Sequence, residues 1–297
     1  MKVDGPFWVY IPFLIKGTRK IHSFQIGWSP ENHVPAYEDA LGLKGGGDQH
    51  LLETANRMQC VQVEEWYAYW EQLCIDPHPL CYSQAEKRFR REDEAIAWIK
   101  ANTRKRYIIG NEPDGGYAGG GNAMAEEEFA DFLFASVALI RSADPDAYLI
   151  MGGWAGGIAM ESSFAHNEDH CLEIYNQKYG TLDVDALSWH SYQYGSFDNP
   201  YPVSKMNKFA SYAKIWANRG WTRTTDICLT EFGWYGLDTK NNTPENCIKF
   251  MDWFVPQLKA HPQVTAYYWW WWGEGARLVK DGEPTEVGLH YSELSRG

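Results

Sequence analysis

The chain has 297 residues and a formal net charge of −12, and its Gly and Pro punctuation runs evenly with no low-complexity linker, which fits one large α/β domain over residues 1–297. The acidic balance, with a pI near 5.2, argues against binding nucleic acid or an anionic membrane, either of which wants a basic face. Aromatic residues make up 15%, with 15 Trp and 18 Tyr, and buried indoles and phenols must still find hydrogen-bond partners, so some of these rings are expected to line a groove.

In chain order, residues 7–15 and 21–28 are both strand-like, and one of them opens the sheet while the other, with residues 1–20, forms an appended arm. No charged segment leads into an uninterrupted apolar run here, because Pro12 breaks it, so no signal peptide is evident. A cytoplasmic enzyme and the mature part of a secreted one both remain open, as does the oligomeric state. Residues 49–58 read as a helix, 60–66 as a strand, 80–83 as a short strand and 91–102 as a helix with Ile96, Trp98 and Ile99 at helical spacing. The six cysteines have no CxxC spacing, which argues against a zinc knuckle or dithiol redox site. Cys60 and Cys228 read as buried thiols, and Cys74 and Cys81 bracket a Pro-rich turn that a disulfide could close in a secreted chain.

The second half is more regular. Residues 107–109 form a strand and 123–142 a helix that starts with Glu126, Glu127 and Glu128 and carries Phe129, Phe132, Leu133, Val137 and Ile140 on one face. Strands follow at 148–153, 184–190, 227–231 and 264–270, alternating with helices at 162–179, 204–219 and 243–259, the last of the series. About eight strands alternating with helices imply a parallel sheet with right-handed crossovers, closed at this length into a (β/α)8 TIM barrel, with the open doubly wound sheet as its rival.

Two strands end on glutamates. Residues 107–117, YIIGNEPDGGY, break at Glu112, and residues 227–236, ICLTEFGWYG, at Glu231. Strand ends of a barrel share one face, and two carboxylates held about 5 to 5.5 Å apart there are what a retaining glycosidase needs: one gives a proton to the leaving oxygen, the other attacks the anomeric carbon. Unequal surroundings let the two hold different protonation states. Taken alone, either glutamate reads better as a cap or salt-bridge residue, and His190 as a satisfied core imidazole.

Asn111-Glu112-Pro113 and Thr230-Glu231-Phe232-Gly233 resemble the acid/base and nucleophile signatures of glycoside hydrolase clan A, the retaining β-glycosidases. Residues 184–195, VDALSWHSYQYG, are similar to the clan's sixth strand with its His-x-Tyr element, and residues 267–272 to its eighth, which supplies a tryptophan floor. The chain looks most like the compact family 128 β-1,3-glucanases, with a family 39-like SWHSY element, while its first three strands match the pattern poorly. The resemblance implies Glu112 as acid/base, Glu231 as nucleophile, Asn111 as partner of the sugar 2-hydroxyl and His190 or Tyr192 as hydrogen-bond partner of the nucleophile. Trp154, Trp234, Tyr235, Trp270 and Trp272 are candidates for stacking on sugar rings. The expected substrate is a β-glycan, β-1,3-glucan first and xylan- or mannan-type chains behind it, with no cofactor and no metal. A glycan-binding pseudoenzyme and an open-sheet nucleotide enzyme are the competing readings. His166 and His170 flank acidic residues in an HNEDH run that is not a zinc signature, and the glycines of residues 115–121 lack the Lys-Ser/Thr of a phosphate loop.

Overall fold

The computed structural model describes residues 21–25, 60–63, 65–66, 82–83, 88–89, 92–101, 106–111, 113, 125–154, 165–194, 201–235, 242–270, 274–280 and 283–296. The arm at residues 1–20, the helix at 49–58, the glycine-rich 115–121 stretch, the Cys74 and Cys81 pair, Glu112 and Trp272 lie outside these residues.

Seven strands form one parallel sheet: β1 (Ile21–Gln25), β2 (Cys60–Val63), β6 (Arg106–Asn111), β7 (Tyr148–Trp154), β8 (Ala186–Tyr194), β9 (Ile227–Tyr235) and β10 (Val264–Trp270). The short strands β3 (Glu65–Trp66), β4 (Tyr82–Ser83) and β5 (Arg88–Phe89) make a small separate sheet. The order in the large sheet is β1-β10-β9-β8-β7-β6-β2, every neighbouring pair parallel. Five successive strands advance one place each in the same direction, and the first strand pairs with the last. That winding belongs to a (β/α)8 barrel, whereas a doubly wound sheet reverses direction at a switch point. Of the two candidate opening segments, the described part of 21–28, Ile21–Gln25, pairs with β10 in the sheet, and residues 7–15 lie outside the described residues.

Helices α1 (Glu92–Ala101), α2 (Glu126–Ala143), α3 (Ala165–Tyr179), α4 (Tyr201–Asn218), α5 (Pro244–Ala260) and α6 (Glu286–Arg296) alternate with the strands. Each contributes buried apolar side chains to one cluster that it shares with the strands. On α2 the buried side chains include Phe129, Phe132, Leu133, Val137 and Ile140, the face that the 3.6-residue period predicts. Arg141 near its C-terminus donates to Asp185 Oδ2 at 2.9 Å, and the same oxygen accepts from the Leu149 N–H at 2.8 Å, tying α2 to the entrances of β7 and β8. Thr243 caps α5 by accepting from the Asn246 N–H at 3.3 Å, with Pro244 in the first turn where its missing N–H costs nothing.

Helix α6 and the preceding hairpin of β11 (Val279–Lys280) and β12 (Glu283–Pro284) are additions to the sequence-based expectation, which ends its helices with α5. Tyr291 of α6 is fully buried, its ring centroid 6.2 Å from those of both Trp269 and Phe232. Among the described residues no helix is long and apolar enough to cross a membrane.

The sheet separates two apolar clusters. The larger lies between strands and helices, and includes Tyr107, Ile109, Leu149, Met151, Leu187, Trp189, Ile227, Leu229, Phe232, Tyr267 and Trp269. The smaller is Ile108, Ile150, Ala186, Cys228, Ala266 and Tyr268, one residue or two from each of five adjacent strands, as expected of a layer inside a barrel. Alternation along each strand sorts one set from the other. Cys228 is buried, as expected from its strand.

Candidate active site

On β8 the inward parity set by Ala186 continues through Ser188, His190 and Tyr192, while Leu187 and Trp189 pack toward the helices, Trp189 at 5.1 Å from Phe209. His190 and Tyr192 therefore emerge side by side above the lumen layer. Strict alternation on the neighbouring strand, with Cys228 inward, would turn Glu231 away from them. A β-bulge prevents this. Between β8 and β9 the single step from Trp189 to His190 is matched by two, from Leu229 to Glu231. Against β10, two steps from Tyr267 to Trp269 face three from Leu229 to Phe232. Leu229 and Phe232 both face the helices, and the additional residue puts Thr230 and Glu231 between them on the other side.

Glu231 thus meets both β8 side chains. Tyr192 donates its hydroxyl to Oε2, and Nδ1 of His190 lies 3.3 Å from the same oxygen. The cluster is nearly dry: His190 is 2% exposed, Glu231 6% and Tyr192 9%. An O–H donor aimed at one carboxylate oxygen stabilises negative charge there and holds the group's orientation.

A second bulge sits in β7. Three steps from Met151 to Trp154 face two from Leu187 to Trp189, and the extra residue falls in Gly152-Gly153. The facing of the residues beyond it is inverted, which corrects two expectations from sequence. Trp154 is turned to the helix side, 1% exposed, edge-on to Phe129 at 5.5 Å. Trp234, downstream of the β9 bulge, is likewise 1% exposed and packs on Phe250 at 6.2 Å. Both rings are core residues and are not available to a sugar. Trp269 also faces the helices, its Nε1 donating to the Ala276 carbonyl at 2.9 Å. Asn111 ends β6 in register with Gly153, Tyr235 ends β9 opposite Tyr194, and Trp270 ends β10 opposite Gln25, so all three backbones reach the same rim of the sheet.

Two residues of this site were not anticipated from the sequence. Gly153 and Thr230 lie against His190, and Thr230, 1% exposed, has no hydrogen-bond partner for its hydroxyl among the described residues. A Gly-Gly pair inside an apolar strand is the signal that marks the first, because glycine in a strand interior signals a bulge or a close approach. Among the described residues no group of His, Cys, Asp and Glu is arranged to hold a metal ion.

The fold is shared with solved enzymes and a binding protein. A curdlan-specific exo-β-1,3-glucanase of GH128 from Blastomyces gilchristii superposes with a TM-score of 0.58 at 15% identity, over 93% of this chain and 98% of that one. A GH128 endo-β-1,3-glucanase from Sorangium cellulosum gives 0.54 at 16%, over 92% and 98%. A GH128 oligosaccharide-binding protein from Cryptococcus neoformans gives 0.53 at 14%, over 94% of both. At such identities the likeness is one of fold. No curated protein matches the chain. The family model described as glycosyl hydrolase catalytic core matches residues 76–291, a span that contains every strand from β4 to β10 and the whole Glu231 cluster. With most of its length under that model, the chain belongs to the glycosyl hydrolase catalytic core family.

Proposed function

We propose that this protein is a retaining β-glycoside hydrolase acting on β-1,3-glucan through one catalytic barrel domain. The observation that carries the reading is the pairing of a carboxylate at the β9 bulge, Glu231, with two β8 side chains that fix one of its oxygens, Tyr192 by a donated hydroxyl and His190 at 3.3 Å. A nucleophilic carboxylate must be ionised and aimed. Here the protein holds Oε2, which fixes how the carboxylate is presented to the anomeric carbon. Glu112, one residue beyond the end of β6, is assigned as the group that protonates the leaving oxygen and then activates water against the glycosyl-enzyme. Asn111 precedes it and is assigned to the sugar 2-hydroxyl. Tyr235, Trp270 and Trp272 remain the stacking candidates once Trp154 and Trp234 are counted as core. The glucan substrate rests on the fold shared with two β-1,3-glucanases.

One relative of this fold is an oligosaccharide-binding protein, which favours a second reading in which the same rim holds glycan without cleaving it. Laminarin hydrolysis by the parent, Glu231→Gln and Glu112→Ala separates the two. The hydrolase reading predicts reducing-end release by the parent with β-anomeric product forming first by proton NMR, and a loss of at least roughly a thousandfold in kcat for Glu231→Gln. Binding of laminari-oligosaccharides by the parent with no turnover on laminarin, xylan or mannan would establish the second reading instead.

A further inference from the structure

We propose that Gly153 is a positioning residue for the nucleophile: the absence of its side chain makes the seat on which the His190 imidazole rests. This goes beyond the assignment of Glu231 and rests on it. A Cβ built on Gly153 would overlap Nε2 and Cδ2 of His190 and lie 2.6 Å from Thr230 Oγ1, so imidazole edge and hydroxyl converge on the volume this glycine leaves empty. The imidazole is a rigid ring. Displacing its Nε2 and Cδ2 edge moves Nδ1 with it, and Nδ1 is the atom 3.3 Å from Glu231 Oε2. With His190 only 2% exposed there is no open side for the ring to retreat to.

The requirement is one of space and not of backbone freedom. Gly110, Gly180 and Gly220 have positive φ and Gly153 does not, so its backbone conformation suits an alanine that the imidazole excludes. On its other side, where the pairing with β6 is unbroken, Gly153 is in register with Asn111, the residue before Glu112. One glycine therefore lies between the strand end that carries the assigned acid/base and the histidine that steadies the nucleophile. Its neighbour Gly152 is constrained differently, by the β6 carbonyls of Ile109 and Gly110.

The test is a double-mutant cycle of Gly153→Ala and His190→Ala, read by kcat and KM on laminarin and by long-range proton-nitrogen NMR of the His190 ring, assigned through its loss in His190→Ala. In the parent background Gly153→Ala is expected to lower kcat by roughly tenfold to a hundredfold, the scale of a misplacement near 1 Å, with KM changed by less than about twofold. In the His190→Ala background the same change should cost less than about twofold, since the methyl group enters room the ring has vacated. The His190 ring signals should shift in Gly153→Ala. Equal losses in both backgrounds, an unchanged kcat or unchanged ring signals would overturn the proposal. If Gly153→Ala alone does not fold, recovery of folded protein in the double variant supports the seat, and failure of both overturns it. A parent without activity on any glycan whose His190 signals still respond to Gly153→Ala leaves the seat standing and removes the hydrolase reading.

Discussion

Glu231 is held on one oxygen by a phenol hydroxyl and an imidazole, both from the same face of β8. A hydrogen bond to a charged group contributes about 1.5–3 kcal/mol, so Tyr192→Phe is expected to lower kcat on laminarin by roughly tenfold to a hundredfold while leaving the fold intact. Steady-state kinetics together with a thermal melt check this, and a melt that collapses along with activity would mean that the phenol is structural. The residue types of this cluster were legible in the chain, since a glutamate after an apolar run and a His-x-Tyr on a strand announce themselves. Their facing was not. Strict period-two alternation puts Trp154 and Trp234 on the side of Ile150 and Cys228 and turns Glu231 away from them, and one inserted residue in each of β7 and β9 reverses all three. A bulge is set by cross-strand pairing, and only its glycines leave a trace in the local sequence.

At the scale of elements, the helices from α1 to α5 were readable from their apolar period, helped in α1, α2 and α5 by acidic first turns and in α5 by a cap. Helix α6 was not, because it follows a tight hairpin and buries a stripe as narrow as Val287 and Tyr291. Phe250 on α5 is the best test of how this side of the barrel is held. Its ring centroid lies within 6.3 Å of those of Phe232, Trp234, Trp253, Phe254 and Trp269, so it bridges β9, β10 and its own helix. Phe250→Ala should destabilise by about 3–5 kcal/mol, the range for removing a buried aromatic ring. Thr243→Ala, which removes only the α5 cap, should cost about 1 kcal/mol. Chemical denaturation of both variants measures the difference, and a cap loss equal to the ring loss would contradict this account of the packing.

At the scale of the whole molecule, the barrel winding was legible from the strand and helix rhythm, and the pairing of β1 with β10 supplies what rhythm cannot, the return of the last strand to the first. The same buried shell sets a pH limit. Burial pushes the Cys247 thiol up from 9.0 to about 12, and burial, with Asp183 and Tyr179 nearby, pushes Tyr175 up from 10.0 to about 12. Both groups keep their protons in the folded chain at pH values where the unfolded chain has lost them. Their contribution is therefore fully present below about pH 9 and is lost as pH rises toward 12, at up to about 1.4 kcal/mol per pH unit for each group. Melting temperature against pH should fall over that window, and less steeply in Cys247→Ala; equal slopes would show that the thiol is not coupled to folding.

The most direct test of the central claim is covalent trapping. Incubated with a 2-deoxy-2-fluoro laminaribiosyl donor carrying a good leaving group, the protein should accumulate a glycosyl ester, and peptide mass mapping should place it on Glu231, with no adduct in Glu231→Gln. An adduct on a different residue, or none from a protein that hydrolyses laminarin, would contradict the assignment of Glu231 as the nucleophile.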